Sequence, residues 1–234
     1  MRIGSRPAAG LVVVFMLAFA PAPGFAQRRS ELPLVRVEAP PGTTGPMILL
    51  LSGDGDWAPF PKQLSELAAA HGSPVLGLKM RSYLSQRRTP DEMAATLAPV
   101  VRGQLGDWGR SELMVVGYSR GADIAPFVVN RWPEDLRSQV SGIALVGLSE
   151  RAGFEFHYDD LLFDIARATD LPTRPEVEKL VGMPLWCLRG ADENESFCDR
   201  PVAGMKVATH PGSHRAGGDD GTAQLVLHEL GLDR

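Results

Sequence analysis

Cysteine is scarce in this 234-residue sequence, with only Cys187 and Cys198 present. Two thiols can build neither a disulfide-dense miniprotein nor a four-cysteine zinc site. A cationic surface is lacking as well: 24 Lys plus Arg face 28 acids, a formal charge of -4, and the basic residues form no stripe. Too few phosphates could be neutralised for a nucleic-acid partner to be expected. After the first 26 residues no apolar run is long enough to cross a bilayer. Internal repeats and low-complexity linkers are missing, so nothing marks a second domain. What remains, 44% hydrophobic and 22% charged, is ordinary globular composition and excludes disorder, collagen and coiled coil.

The N-terminus reads as a secretory signal. Arg2 and Arg6 give a positive n-region, Leu11 to Ala20 is uninterruptedly apolar, and Pro21 to Ala26 is a run ending in Gly24-Phe25-Ala26. Cleavage is expected after Ala26. The competing reading, an uncleaved anchor, needs about 20 apolar residues, and Pro21 and Pro23 end this run early. Removing residues 1–26, which carry two arginines and no acids, leaves 27–234, a single 208-residue domain of charge -6. Export to an oxidising compartment favours a Cys187–Cys198 disulfide over two free thiols.

Strand and helix patterns alternate along the mature chain. Leu34–Val37 alternates as an edge strand does, and Met47–Leu51 is solidly apolar, as a strand buried on both faces is. Helical spacing follows over Pro61–Ala70, then a strand over Pro74–Leu78. Thr89-Pro90-Asp91-Glu92 supplies an N-cap, a proline in the first turn and acids, opening a helix to about Leu105. Further strands are expected at Leu113–Val116, Ser141–Val146, Leu185–Leu188 and Met205–Ala208, with helices at Ile124–Asn130, Glu176–Val181 and Ala223–Leu230. Such alternation predicts an open, mostly parallel sheet covered on both faces, an α/β fold.

Chemistry-bearing residues collect at the strand ends. Gly117-Tyr118-Ser119-Arg120-Gly121 lies between an apolar strand and a helix, the nucleophile-elbow pattern, which makes Ser119 the candidate nucleophile. In this topology an acid and then a histidine follow in chain order. Asp192, in the loop after Leu185–Leu188, is the expected acid, with Glu193, Glu195 and Asp199 competing. His214 is preferred as base to His210 because it lies several residues past the last strand, in a glycine-rich loop; His71, His157 and His228 look structural. The oxyanion hole is expected from the backbone N–H of Arg120 and from one in Ser52-Gly53-Asp54-Gly55-Asp56-Trp57, assigned to Asp54 or a neighbour.

Leu51–Trp57, Gly117–Asp123, Gly190–Cys198 and Pro211–Asp219 together resemble the VirJ/AcvB family of bacterial virulence proteins. That resemblance covers nearly all of the mature chain and implies an α/β-hydrolase fold, export to the periplasm, and the triad Ser119, Asp192 and His214. It also implies that Cys187 and Cys198 clip the loop bearing the acid, and AcvB-like members are linked to hydrolysis of lysyl-phosphatidylglycerol. The chain departs from the family in showing His214-Arg215-Ala216 where two histidines and a phenylalanine are usual, and Arg120 where an aromatic is usual. These changes bear on substrate rather than on the triad.

The resulting expectation is a periplasmic serine hydrolase that cleaves an ester, with an aminoacylated phospholipid as candidate substrate and no metal or organic cofactor. For a lysyl group, Glu193, Glu195 and Asp123 are candidate partners of its ammonium, or else solvated and capping acids. The alternatives are an esterase for small soluble esters and a periplasmic adaptor that binds secretion-system proteins. A lid is expected to be minimal: between Ser149 and Pro175 only Phe154, Phe156, Tyr158, Leu161, Leu162 and Phe163 offer an apolar side to a lipid or to the core.

Overall fold

Alternation of apolar side chains decides which face each strand residue serves. In the computed structural model, which describes Met1 and residues 32–161, 165–214 and 221–233, strand β2 (Met47–Leu51) follows β1 (Leu34–Val37) and is buried throughout. Met47, Leu49 and Leu51 join one core; Ile48 and Leu50 join another on the opposite face. A strand rich in apolar residues is required because both faces are covered. Helix α1 (Pro59–Ala70), strand β3 (Val75–Leu78), the single turn α2 (Met80–Tyr83) and helix α3 (Pro90–Asp107) come next. Thr89 caps α3 as expected: its hydroxyl accepts from the Glu92 amide at 3.2 Å, and the Glu92 carboxylate accepts from the Thr89 amide at 2.8 Å.

Strand β4 (Leu113–Tyr118) runs into α4 (Arg120–Asn130), followed by the short α5 (Glu134–Arg137) and β5 (Val140–Val146). A two-stranded antiparallel hairpin of β6 (Arg151–Ala152) and β7 (Leu171–Pro172) frames the excursion before α6 (Arg174–Glu178). Strands β8 (Leu185–Gly190) and β9 (Lys206–His210) and helix α7 (Thr222–Glu229) complete the order. The main sheet reads β1-β3-β2-β4-β5-β8-β9; β1 pairs antiparallel with β3 at one edge, and the other pairs are parallel. Helices α1 and α7 pack together on one face, α3 and α4 on the other. This is the expected mostly parallel, two-sided α/β sheet.

Several boundaries move. Strand β8 continues two residues past Leu188 to Gly190, and the last strand occupies 206–210 rather than 205–208. Its exposed Lys206 and Thr209 carry little apolar signal because β9 is an edge strand. The helix expected at 176–181 lies at 174–178, started by Pro175 in its first turn. The signal segment beyond Met1, together with Leu162, Phe163, Arg215 and Ala216, lies outside the described residues. Among the described residues no helix is long and apolar enough to cross a membrane.

Cys187 on β8 and Cys198, in a 3-10 turn over Phe197–Asp199, form a disulfide with Cα atoms 5.6 Å apart. Both are buried, and the loop they close contains Glu193. Closing a loop of this size contributes roughly 3 kcal/mol on the chain-entropy account. Replacing both cysteines by alanine is therefore expected to lower the melting temperature by roughly 6–12 °C, measured by circular dichroism against the parent without reductant.

Candidate active site

Ser119 stands at the turn from β4 into α4 with φ 52° and ψ -121°, a left-handed backbone that a serine adopts only under constraint. The turn is held by the Ser119 amide donating to the Val146 carbonyl at 2.8 Å, and by the Ala122 amide donating to the Ser119 carbonyl at 2.7 Å. Gly121 permits it: a Cβ there would come within 2.1 Å of the Leu51 carbonyl oxygen. This is the expected elbow, with its serine at the N-terminus of a helix.

His214 reaches the serine from the loop after β9. Its Nε2 lies 3.0 Å from Ser119 Oγ, and its Nδ1 lies 2.7 Å from Glu193 Oε1. An ionised carboxylate can only accept, so Nδ1 carries the proton, and Nε2 of the neutral ring is left to accept from the serine hydroxyl. Room for the ring comes from Gly147 at the end of β5, where a Cβ would sit 3.0 Å from His214 Cε1. His210 is fully buried and its Nδ1 donates to the Pro211 carbonyl at 2.8 Å, away from this relay. His71 ends α1, His157 lies beside Glu155, and His228 bonds Asp233, which matches their expected structural character.

The carboxylate that meets His214 is that of Glu193, where the sequence pointed to Asp192. Asp192 is exposed, and its amide donates to the Gly212 carbonyl at 2.9 Å. Because β8 runs on to Gly190, the chain turns at once: the Gly190 amide donates to Glu193 Oε2 at 2.9 Å. This leaves Oε1 for the histidine, and the longer side chain makes the reach. Glu195 and Asp199 are exposed, and Asp199 pairs with Arg189. Burial raises the Glu193 pKa, but the bonds from His214 and the Gly190 amide outweigh it and hold the carboxyl below its ordinary range.

The loop after β2 runs beside Ser119, since a Cβ on Gly53 would lie 3.1 Å from Ser119 Cβ. It is braced from below. Ser52 Oγ accepts from the Met80 amide at 3.0 Å, and Asp56 accepts from the Ser82 amide and hydroxyl at 3.0 and 2.6 Å. Arg120 and Asp54, the two residues whose amides are expected at the oxyanion hole, are joined through their side chains: Nε and Nη2 of Arg120 bond both Asp54 oxygens at 2.5 and 3.0 Å. Nothing in the sequence pattern signalled that pairing.

Asp123, one turn into α4, is only 8% exposed. Its Oδ1 accepts from the Ser149 amide at 2.7 Å. Burial dominates and pushes its pKa up to about 7, against the opposing pull of that bond and of the His214 and Arg120 charges. In the excursion, Phe154 packs edge-on to Phe127 in the core, whereas Tyr158 is 85% exposed. Among the described residues no three His, Cys, Asp or Glu side chains converge as a metal set.

Solved structures share this architecture. MenH from S. aureus superposes with TM-score 0.62 at 11% identity, covering 86% of this chain and 98% of that one. The esterase domain of a Rhodothermus marinus protein gives TM-score 0.60 at 11% identity over 86% and 90% of the two chains. Est1E from Butyrivibrio proteoclasticus gives 0.58 at 15% over 86% and 92%. At these identities the likeness shows the fold, and that fold is the α/β-hydrolase fold. Comparison with curated proteins gave no match. Residues 45–232 match the family described as bacterial virulence protein (VirJ), and the chain belongs to that family.

Two variants separate the competing acids. Glu193→Gln is expected to slow fluorophosphonate labelling of Ser119 roughly a hundredfold or more, whereas Asp192→Asn stays within about twofold of the parent. Equal labelling of the two variants, or a loss confined to Asp192→Asn, would overturn the assignment. A second outcome concerns Asp123. The folded protein keeps this proton up to about pH 7, while the unfolded chain releases it near the ordinary value of 3.8. Stability should therefore fall as pH rises through that interval, by at most about 4 kcal/mol, and level off above it. Asp123→Asn keeps the acceptor for Ser149 and removes the titration, so melting curves from pH 4 to 8 should flatten relative to the parent.

Proposed function

We propose that the protein is an exported serine hydrolase that cleaves a carboxylic ester. The carrying observation is the relay from Ser119 through His214 to Glu193. An esterase domain among the structures sharing the fold supports the same reading. Ser119 attacks the ester carbonyl while His214 takes its proton and returns it to the leaving alcohol; Glu193 steadies the imidazolium. The amides of Arg120 and Asp54 receive the oxyanion, and water, activated by His214, then frees the acyl group.

The proposed substrate class is an aminoacylated phospholipid such as lysyl-phosphatidylglycerol, met at the periplasmic face of the membrane after cleavage of the signal at Ala26. The family resemblance supports this class, and the outward-facing Tyr158, Ile165 and Leu171 on the excursion suit contact with lipid.

The test combines a probe and a substrate. The parent should take up a fluorophosphonate and release lysine from vesicles containing lysyl-phosphatidylglycerol, and Ser119→Ala should do neither. Labelling without lysine release would redirect the substrate to a soluble ester. A parent that takes up no probe would overturn the hydrolase reading in favour of a periplasmic adaptor for secretion-system proteins.

A further inference from the structure

Arg120 follows the nucleophile directly, so its Cα is fixed by the elbow, yet its side chain turns back into the protein and is only 12% exposed. Four of its donors are used. Nε and Nη2 grip the Asp54 carboxylate fork to fork, Nη1 donates to the Gly153 carbonyl at 3.1 Å, and Nη2 also donates to Asp160 Oδ2 at 2.7 Å. These partners belong to separate stretches of chain: the loop after β2, and the segment from Gly153 to Asp160 that follows β6. Asp160 is itself nearly buried. It accepts from the His157 amide at 3.1 Å and from Arg167 Nη1 at 2.5 Å, so the far arm of the bridge is anchored.

We propose that the Arg120 side chain is a positioning residue that fixes the Asp54 loop against the nucleophile elbow and makes that fit depend on the seated Gly153–Asp160 segment. The proposal rests on the hydrolase reading. A guanidinium is planar and rigid, and its forked pairing with a carboxylate fixes orientation as well as distance. Because the expected oxyanion donors are the amides of Arg120 and Asp54, a clamp between the two side chains sets how far apart those amides stand. Donor placement at an oxyanion hole is exacting, and a shift of about 1 Å can cost on the order of a hundredfold in rate. Asp160 acts at the second remove: its bond keeps the guanidinium plane in register with Asp54 and draws the excursion against the site. No step of the chemistry passes through this side chain, so its loss should appear in turnover more than in substrate binding.

The test measures kcat and KM for p-nitrophenyl acetate with the purified mature chain, beside thermal melts, for Arg120→Lys, Arg120→Met, Asp160→Asn and the Arg120→Met/Asp160→Asn double variant. Arg120→Met should lower kcat roughly tenfold or more with KM within about threefold, and Arg120→Lys, which keeps charge but not the fork, should recover only part of the loss. Asp160→Asn should lower kcat on its own and cost nothing further in the Arg120→Met background, the signature of one shared interaction. Unchanged kcat in Arg120→Met, or losses that multiply in the double variant, would overturn the proposal. If Arg120→Met does not fold, Asp160→Asn and Arg120→Lys decide: kcat within about twofold of the parent in both overturns it. Failure of the hydrolase reading looks different, because the parent would then neither turn over the ester nor take up fluorophosphonate.

Discussion

A serine backbone at φ 52° is the constraint from which the rest of the site follows. Such a conformation persists only where its surroundings over-determine it. Here β4 lies inside the sheet between β2 and β5, and the helix that starts at Arg120 packs on the face it shares with α3. Everything else must then come to Ser119. The loop after the adjacent β2 arrives without a detour. The acid and the histidine come from β8 and β9, two and three strands from β4, so their loops must lean back across the end of β5. Gly147 at that end leaves the space for the imidazole. Strand order thus explains why the neighbouring strand supplies the loop beside Ser119 while more distant strands supply His214 and Glu193.

Features set by long-range periodicity or by steric necessity were legible in the sequence. Met47–Leu51 and Leu113–Val116 were readable as unbroken apolar runs, the Thr89 cap as a local Thr-Pro-Asp-Glu motif, and the elbow because glycine is nearly obligatory beside Ser119. The histidine that meets Ser119 was readable too, from loop length after the last strand. Its carboxylate partner was not. Asp192 and Glu193 are adjacent carboxylates, and the choice between them turns on where β8 stops and how the chain folds back from Gly190, neither of which leaves a compositional mark. The α2 and α5 turns and the paired β6 and β7 escaped notice because elements of two to four residues span about one period, too little for a repeat to show.

Two carboxyl groups that feel His214, those of Glu193 and Asp123, are driven in opposite directions. Both pay desolvation. Glu193 recovers it through a direct bond to the imidazole and the Gly190 amide, and ends below its ordinary pKa. Asp123 has the Ser149 amide and only the fields of His214 and Arg120 against its burial, and its pKa is pushed up to about 7. At neutral pH one acid is therefore committed to the charged form and the other is poised between forms. Divergent environments for neighbouring acids are a recurrent mark of sites that move protons. The hydrogen bond described for Asp123 comes from the Ser149 amide, so its charge acts on His214 through space.

Use of a glutamate in the acid position brings one more rotatable bond than an aspartate, hence more side-chain freedom to be lost on folding. The surrounding loop offsets this by restraining Glu193 from several sides. Its Oε2 is held by the Gly190 amide, its backbone carbonyl accepts from Arg189 Nη2, and the same arginine pairs with Asp199. The Cys187–Cys198 disulfide closes the loop at both ends, joining the middle of β8 to the turn that carries Asp199. A carboxylate on a loose loop would bond His214 only part of the time, and the serine would then face a ring free to turn away. The clip therefore adds to the restraints that keep Glu193 Oε1 against Nδ1, and with it Nε2 turned toward Ser119.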